Sequence, residues 1–344
     1  LYAGFGYDPF YFHMFSLLLH IGCVCLVWKL ISSLLRVHGG VSEKQILYVN
    51  FITTLLFAVH PINVEAVAWI SALKVLLYAF FYLLGLLCYL RYIRTSKIFY
   101  YVLTIGCFLC SFWGKEQAVT FPLALLIVDW FTNRNMKNLE VWSEKMSFLI
   151  MAFFFGIITV LSQGKGPYEM IFPLYQRLLF GCFALVEYIT KSLLPVNLNF
   201  FYPFPIVLGE EPPLHYYLYP VVLLFLMGWI IAYRNNRYLV FGVLLFLVNL
   251  LFSIHLFNMS RHAIVADRYM YLSYVGIAFL IANGIWWLRK RLSYFKAALV
   301  FLFFYCFFLS VYTFHYTKKW ENTTMVKKYT KEVLEKRLNG SNHL

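Results

Sequence analysis

The sequence predicts an all-α, polytopic helical membrane protein with about 10–11 membrane segments, and three observations carry that reading. Of the 344 residues, 62% are hydrophobic, 21% aromatic and only 13% charged, against roughly 25% charged in a soluble domain. Apolar runs close to the ~20 residues that cross a bilayer recur along the whole chain. Basic residues gather between those runs, in RYIRTSK (residues 91–97), RNNR (234–237) and RKRLSYFK (289–296).

Segments are expected near Phe12–Leu35, Leu47–Val59, Leu76–Leu90, Ile98–Trp113, Ala118–Phe131 and Met146–Leu161. Others follow near Leu178–Leu194, Tyr216–Tyr233, Tyr238–Phe257, Tyr269–Leu288 and Phe295–Phe314. Several are short for a full span, so flanking loops would complete them. Residues 1–316 form the membrane domain, and 317–344 a basic, partly helical tail. The chain opens at LYAGFGYDPF without an initiator Met, and an earlier segment is expected before Leu1.

The net charge of +14 would suit nucleic acid in a soluble protein. Here the cations sit at segment ends, which fits the positive-inside rule and anionic lipid headgroups; no nucleic-acid partner is expected. The seven cysteines all lie in apolar runs. Cys107-x-x-Cys110 could signal redox or metal chemistry, but a small buried hydrophobe inside a membrane helix is the better reading.

If the three basic stretches are cytoplasmic, fifteen of the 29 Lys and Arg lie on that side and seven on the other, before the tail. HPINVEAVAWIS, GKEQ, QGKGPYEMIFP, PVNLNFFYPFPIVLGEEPP and NMSRHAIVADRY then share the outer face, with seven carboxylates from Asp8 to Asp267. Parity makes Leu178–Leu194, with its Arg177, Glu187 and Lys191, interfacial or re-entrant. It also puts the basic tail outside, against the rule.

Four stretches could carry chemistry, and each has a plainer reading. In His60-Pro61-Ile62-Asn63-Val64-Glu65, Pro61 suits a helix start, Asn63 a cap and Glu65 the first turn, where the dipole favours an anion. Alternatively the element turns His60 and Glu65 toward a wet cavity. In Gly114-Lys115-Glu116-Gln117 the charges are solvated turn residues, or Lys115 neutralises an anionic substrate group. Asp267-Arg268-Tyr269, with Tyr271, is an interfacial pair with a Tyr belt, or Arg268 grips phosphate with its planar fork. The segment Leu194–Pro205, with Tyr202, is rigid and non-helical, so it cannot face lipid and reads as a loop covering the outer cavity. Asp129 and Glu187 read as structural. Asn322-Thr323-Thr324 is a sequon that matters only in a glycosylating compartment. No Walker loop, dinucleotide fingerprint, metalloprotease motif or nucleophile elbow is present in its proper context.

Taken in order, YDPFYFHMFSLLLH, FAVHPINVEAVAWISALKVLLYAFFYLLGLLCYLRY, GKEQAVTFPLALLIVDW, LLPVNLNFFYPFP and IVADRYMYLSYVGI resemble the membrane part of the transmembrane and tetratricopeptide-repeat O-mannosyltransferases and their bacterial relatives. The resemblance implies the C-type polytopic glycosyltransferase fold. It also implies transfer of a sugar, typically mannose, from a polyprenyl-phosphate donor to a protein or glycan acceptor outside the cytoplasm, with inversion. By position Lys115 and Arg268 match the family's basic residues, which would hold the donor phosphate. His60, Glu65, Glu116 and Asp267 match family positions, and Tyr202 and Tyr271 complete the outer-cavity candidates. The family's catalytic carboxylate is expected before Leu1, so no catalytic residue is assigned. No cofactor is assigned beyond the lipid-linked sugar as co-substrate, and no metal. The tail shows no ~34-residue repeat. A bacterial inner membrane is the expected location, or the endoplasmic reticulum membrane for a eukaryotic source. A transporter or flippase of lipid-linked glycans and a noncatalytic scaffold are the alternative classes.

Overall fold

The computed structural model describes Gly6 and residues 8–162, 172–255 and 263–341. The expected outer stretch QGKGPYEMIFP, with Lys165 and Glu169, lies largely outside the described residues. So do Arg261, the end of the segment expected to reach Phe257, and residues 342–344 of the tail.

Thirteen α-helices account for most of the described chain. They are α1 (Pro9–His38), α2 (Glu43–Val59), α3 (Val64–Ala68), α4 (Leu73–Thr95), α5 (Ile98–Gly114), α6 (Phe121–Phe131) and α7 (Leu139–Ser162). Then come α8 (Leu174–Leu193), α9 (Leu218–Ala232), α10 (Arg237–Leu250), α11 (Met270–Trp287), α12 (Leu292–Thr317) and α13 (Thr323–Ser341). Each of the eleven segments read from the sequence corresponds to one helix. By length and composition, six stretches among the described residues can cross a membrane alone, or seven if α2 and the following element, bent by 50°, are one span. The lower count arises because α5 and α10 have 17 and 14 residues and α6 only 11, while α8, 20 residues long, carries Arg177, Glu187 and Lys191. At 1.5 Å per residue α5, α6 and α10 fall short of a ~30 Å hydrocarbon core. The protein is a multi-pass membrane protein.

Local sequence explains the helix starts. Asp8 caps α1 by accepting from the Phe10 N–H at 3.0 Å, with Pro9 in the first turn. Ser42 caps α2 through the Gln45 N–H at 3.2 Å. In each case a side-chain oxygen satisfies an orphan donor. Helices α1, α2, α4, α5, α10 and α11 pack into the central bundle. Gly276 on α11 makes part of this possible, since a Cβ there would lie 2.5 Å from the Gly242 carbonyl oxygen on α10. Gly114 plays the same part at the end of α5, where a Cβ would meet the Tyr78 backbone nitrogen at 2.6 Å. By contrast α9 buries no residue and α12 exposes Phe301, Phe303, Phe304 and Phe307, as lipid-facing helices do.

The two ends of the bundle differ. One holds a charge cluster in which Asp129 accepts hydrogen bonds from Tyr89 at 2.7 and 2.8 Å and pairs with Lys145 at 2.5 Å. Arg134 pairs with Glu144 at 2.6 Å and with Asp129 at 3.2 Å, and Lys145 also donates to Tyr89. Two anions and two cations balance, as buried charge requires. Asp129 is therefore a structural tie among α4, α6 and α7. The described cysteines are all free. Only Cys23 and Cys306 are buried, while Cys25 is exposed. Cys107 and Cys110, expected to be small buried hydrophobes, are only half-buried, because an apolar helix in lipid turns one face outward.

Candidate functional site

The other end of the bundle gathers the polar stretches singled out in the sequence. Pro61 opens a 3-10 turn (Pro61–Asn63) after α2, and α3 follows it. The capping residue is His60 rather than Asn63: its Nδ1 accepts from the Ile62 N–H at 3.2 Å. Asn63 makes no cap bond and instead donates to the Phe57 carbonyl at 2.7 Å, tying the bend back to α2. His60 is 1% exposed and its ring lies 4.2 Å from that of Tyr274. It is a packed turn residue, not one turned to a wet cavity.

Glu65 occupies the first turn of α3, as expected, and its carboxylate is committed to a distant partner. One oxygen accepts from Arg268 Nη1 at 2.5 Å, the other from the Arg268 backbone N–H at 2.7 Å. Glu65 is fully buried, whereas the Arg268 side chain keeps 22% of its surface. Among the described residues Nε and Nη2 of Arg268 make no hydrogen bond, so part of the fork remains for a ligand. Its Cζ lies 5.3 Å from the Trp69 ring and 5.2 Å from the Tyr269 ring. Lys115, 5% exposed, brings Nζ to 4.2 Å from that same Tyr269 ring. The two residues expected to hold phosphate thus converge on one aromatic ring, where cation–π attraction holds them.

Asp267 has a different task. It is buried, accepts from the Tyr202 hydroxyl at 3.0 Å through both oxygens, and faces Lys191 at 3.7 Å. The Tyr202 hydroxyl also takes the Asn199 N–H at 2.6 Å. Lys191 donates to Tyr202 at 2.5 Å and faces Glu187 at 3.7 Å. Tyr202 and Val265 form an isolated antiparallel bridge, and the Tyr188 hydroxyl takes the Ala266 N–H at 3.2 Å. Together these fix the turn that presents Arg268. The loop around Tyr202 therefore anchors the site from within.

The remaining candidates separate. Glu116 is half-buried and pairs with no cation among the described residues. Its neighbour Gln117 donates to Ser253 at 2.7 Å. Tyr271 is not at the cavity: it is fully buried in the bundle, with its hydroxyl 2.7 Å from His20 Nδ1 and its ring 5.2 Å from Phe57. It lies one helical step inside α11, past the 3-10 turn, and that step carries it into the core.

Trp69, the ring beside Arg268, also lines a cavity of about 820 Å³ that Arg268, Lys115 and Tyr269 do not themselves line, within the ~300–1,000 Å³ usual for ligand sites. Trp69, Phe200 and Phe201 line it together with Pro9 and His13 of α1. The tail closes it, through Trp320 and the α13 residues Val326 and Lys327. Trp320 packs with Val64, Leu198 and Tyr316, so the tail shares this end of the bundle, as the sequence-based topology expects. Asn322 caps α13 through the Met325 N–H at 2.9 Å. Among the described residues no group of three or more His, Cys, Asp or Glu could hold a metal ion.

Residues missed in the sequence are Trp69, Tyr269 and Tyr188, with Lys191 undervalued. An aromatic pair flanking Arg268 across two polar stretches was the available signal for the first two. Lys191 stands four residues after Glu187 in the segment read as interfacial.

No family model matches the chain, and no solved structure does. Curated relatives do. Protein O-mannosyl-transferase Tmtc3 of Drosophila melanogaster is 28% identical over 153 residues, covering 39% of this chain and 16% of that protein. Protein O-mannosyl-transferase TMTC2 of Homo sapiens is 33% identical over 143 residues, 40% of this chain and 16% of the relative. The Xenopus laevis protein O-mannosyl-transferase tmtc2 is 29% identical over 167 residues, 46% of this chain and 18% of its own length. The matched stretch spans less than a fifth of each of these relatives.

Proposed function

We propose that this relative of the transmembrane and tetratricopeptide-repeat O-mannosyltransferases forms the donor-binding membrane part of a mannosyltransferase. The observation that carries the reading is the convergence of Lys115 and Arg268 on Tyr269, with Arg268 against Trp69, a residue that also lines the aromatic cavity. The donor is a polyprenyl-phosphate-linked mannose, whose lipid reaches the site through the apolar flank. Arg268 and Lys115 take the phosphate oxygens, and Glu65 is a positioning residue that aims the guanidinium. The acceptor is a protein hydroxyl entering past Trp69 and Phe200.

The hydroxyl oxygen attacks the anomeric carbon while the bond from that carbon to the phosphate oxygen breaks, inverting the configuration. The bonding electrons leave with the phosphate, whose growing charge the two cations stabilise. The hydroxyl proton passes to a carboxylate base, a role assigned to no described residue. The Asp267 carboxylate is already engaged by Tyr202 and the nearby Lys191, which supports leaving it out of that role. The relatives come from animals, which favours the endoplasmic reticulum membrane over a bacterial one.

Membranes carrying the full-length protein should transfer labelled mannose from polyprenyl-phosphate-mannose to a protein acceptor. Arg268→Ala should lower that transfer more than roughly tenfold at low donor, the cost of a lost charge-assisted contact. Unchanged transfer in the variant would remove Arg268 from the donor site, and no transfer by the wild type would overturn the reading.

A further inference from the structure

At the opposite end from the transfer site, α1 and α4 leave a second cavity of about 400 Å³ between them. Its lining has a helical period on both sides. On α1, Ser32 and Ser33 each lie three or four residues from both Lys29 and Arg36, and on α4 Leu87 and Cys88 lie four and three residues before Arg91, with Arg94 three beyond it. Such spacing puts each set on one helix face. Tyr100 of α5 completes the wall, its ring 5.9 Å from the Arg91 guanidinium carbon.

Four cations face this cavity. Of these four, only Arg36 forms an ion pair with a described residue, Glu43 at 3.2 Å, and both partners are more than half exposed. An exposed pair of that kind is weak, so the cavity keeps an excess of positive charge. Snorkelling toward an aqueous interface explains cations near helix ends. It does not explain why two serines face a gap among them, above an apolar floor of Leu87 and Leu90. The Ser32 hydroxyl donates to the Trp28 and Lys29 carbonyls of its own helix at 2.9 and 3.1 Å, so the match to a ligand rests on the cations at the mouth and the apolar base.

We propose that this cavity binds the phosphate of an anionic lipid headgroup, separately from the donor site. Arg91 and Arg94 present planar forks to the phosphate oxygens. Lys29 adds a compact charge deeper along α1, and the lipid's chains continue over the apolar helix surfaces. A phosphomonoester headgroup suits the charge best, because it carries close to two negative charges at neutral pH.

The test uses the full chain in nanodiscs of neutral phosphatidylcholine doped with phosphatidic acid. Lipid retained by the protein is read by native mass spectrometry after mild delipidation. Arg91→Gln/Arg94→Gln should retain roughly tenfold less phosphatidic acid than the wild type, given the energy of a basic side chain near anionic lipid. Lys29→Gln alone should show a smaller loss. Lys290→Gln/Lys296→Gln, in a different basic run, should retain lipid like the wild type. Unchanged retention in the Arg91/Arg94 variant would overturn the proposal, as would an equal loss in the control. Millimolar inorganic phosphate should not displace the lipid; displacement would assign the cavity to a soluble phosphate compound instead. Matching thermal unfolding of the variants and the wild type guards against misfolding.

Discussion

Lys115 and Arg268, 153 positions apart in the sequence, stand 4.2 and 5.2 Å from the centre of one ring, that of Tyr269. A tyrosine face holding two cations lowers the cost of gathering like charge in a partly dry site. It also fixes where an anion must sit to meet both. This arrangement suits the phosphate-bearing donor proposed for the site.

Tyr269→Leu removes the shared ring and leaves both cations without it. Two cation–π contacts of ~0.5–2 kcal/mol each are lost, so the donor KM should rise several-fold, with a smaller change in kcat. Initial rates across a donor titration would show this. A fall in kcat at constant KM would place Tyr269 outside donor binding.

Glu65→Gln keeps the shape of the side chain but deprives Arg268 of its buried counter-charge. Breaking a buried pair by removing one partner costs ~3–5 kcal/mol, and the partial exposure of Arg268 sets the lower end of that range. Thermal unfolding in detergent should register a clear drop in Tm. An unchanged Tm would mean that the pair contributes nothing to stability.

The Tyr202 hydroxyl touches Asp267, Lys191 and the Asn199 N–H. Tyr202→Phe should therefore destabilise the protein by ~1–3 kcal/mol, the cost of leaving buried groups unsatisfied. Because the same network fixes the turn carrying Arg268, transfer at low donor should fall as well. A variant as stable as the wild type would show that the network relaxes around the gap.

At the other end, Asp129→Ala leaves Lys145 and Arg134 partly uncompensated. A loss of ~3–5 kcal/mol in stability is expected, without a change in donor KM for the protein that remains folded. A raised donor KM would link the two ends and contradict the separation drawn above.

Gly276→Ala pushes a methyl group to within 2.5 Å of the Gly242 carbonyl. Overpacking of this kind costs ~1–3 kcal/mol, and comparing its Tm with that of Gly284→Ala, where a Cβ meets nothing, isolates the helix contact. Equal Tm values for the two would mean that α10 and α11 separate freely.

The helices and their approximate limits were legible because a bilayer imposes long apolar runs, and every such run became a helix. The polar stretches around Glu65, Lys115, Tyr202 and Arg268 were legible for the complementary reason: charge and proline interrupt those runs only where something other than lipid receives them. The partners were not legible. Glu65 meets Arg268 across 203 positions, Tyr202 meets Asp267 across 65, and Tyr271 turns into the core while Arg268, three residues earlier, stays partly exposed against Trp69. A glutamate in a first helical turn reads the same whether it is solvated or salt-bridged, since helical periodicity reports which face is apolar and not which helix covers it. Pairing is set by how the helices cross, at close contacts such as Gly242 with Gly276, and only the folded bundle places Lys115 and Arg268 on the same ring.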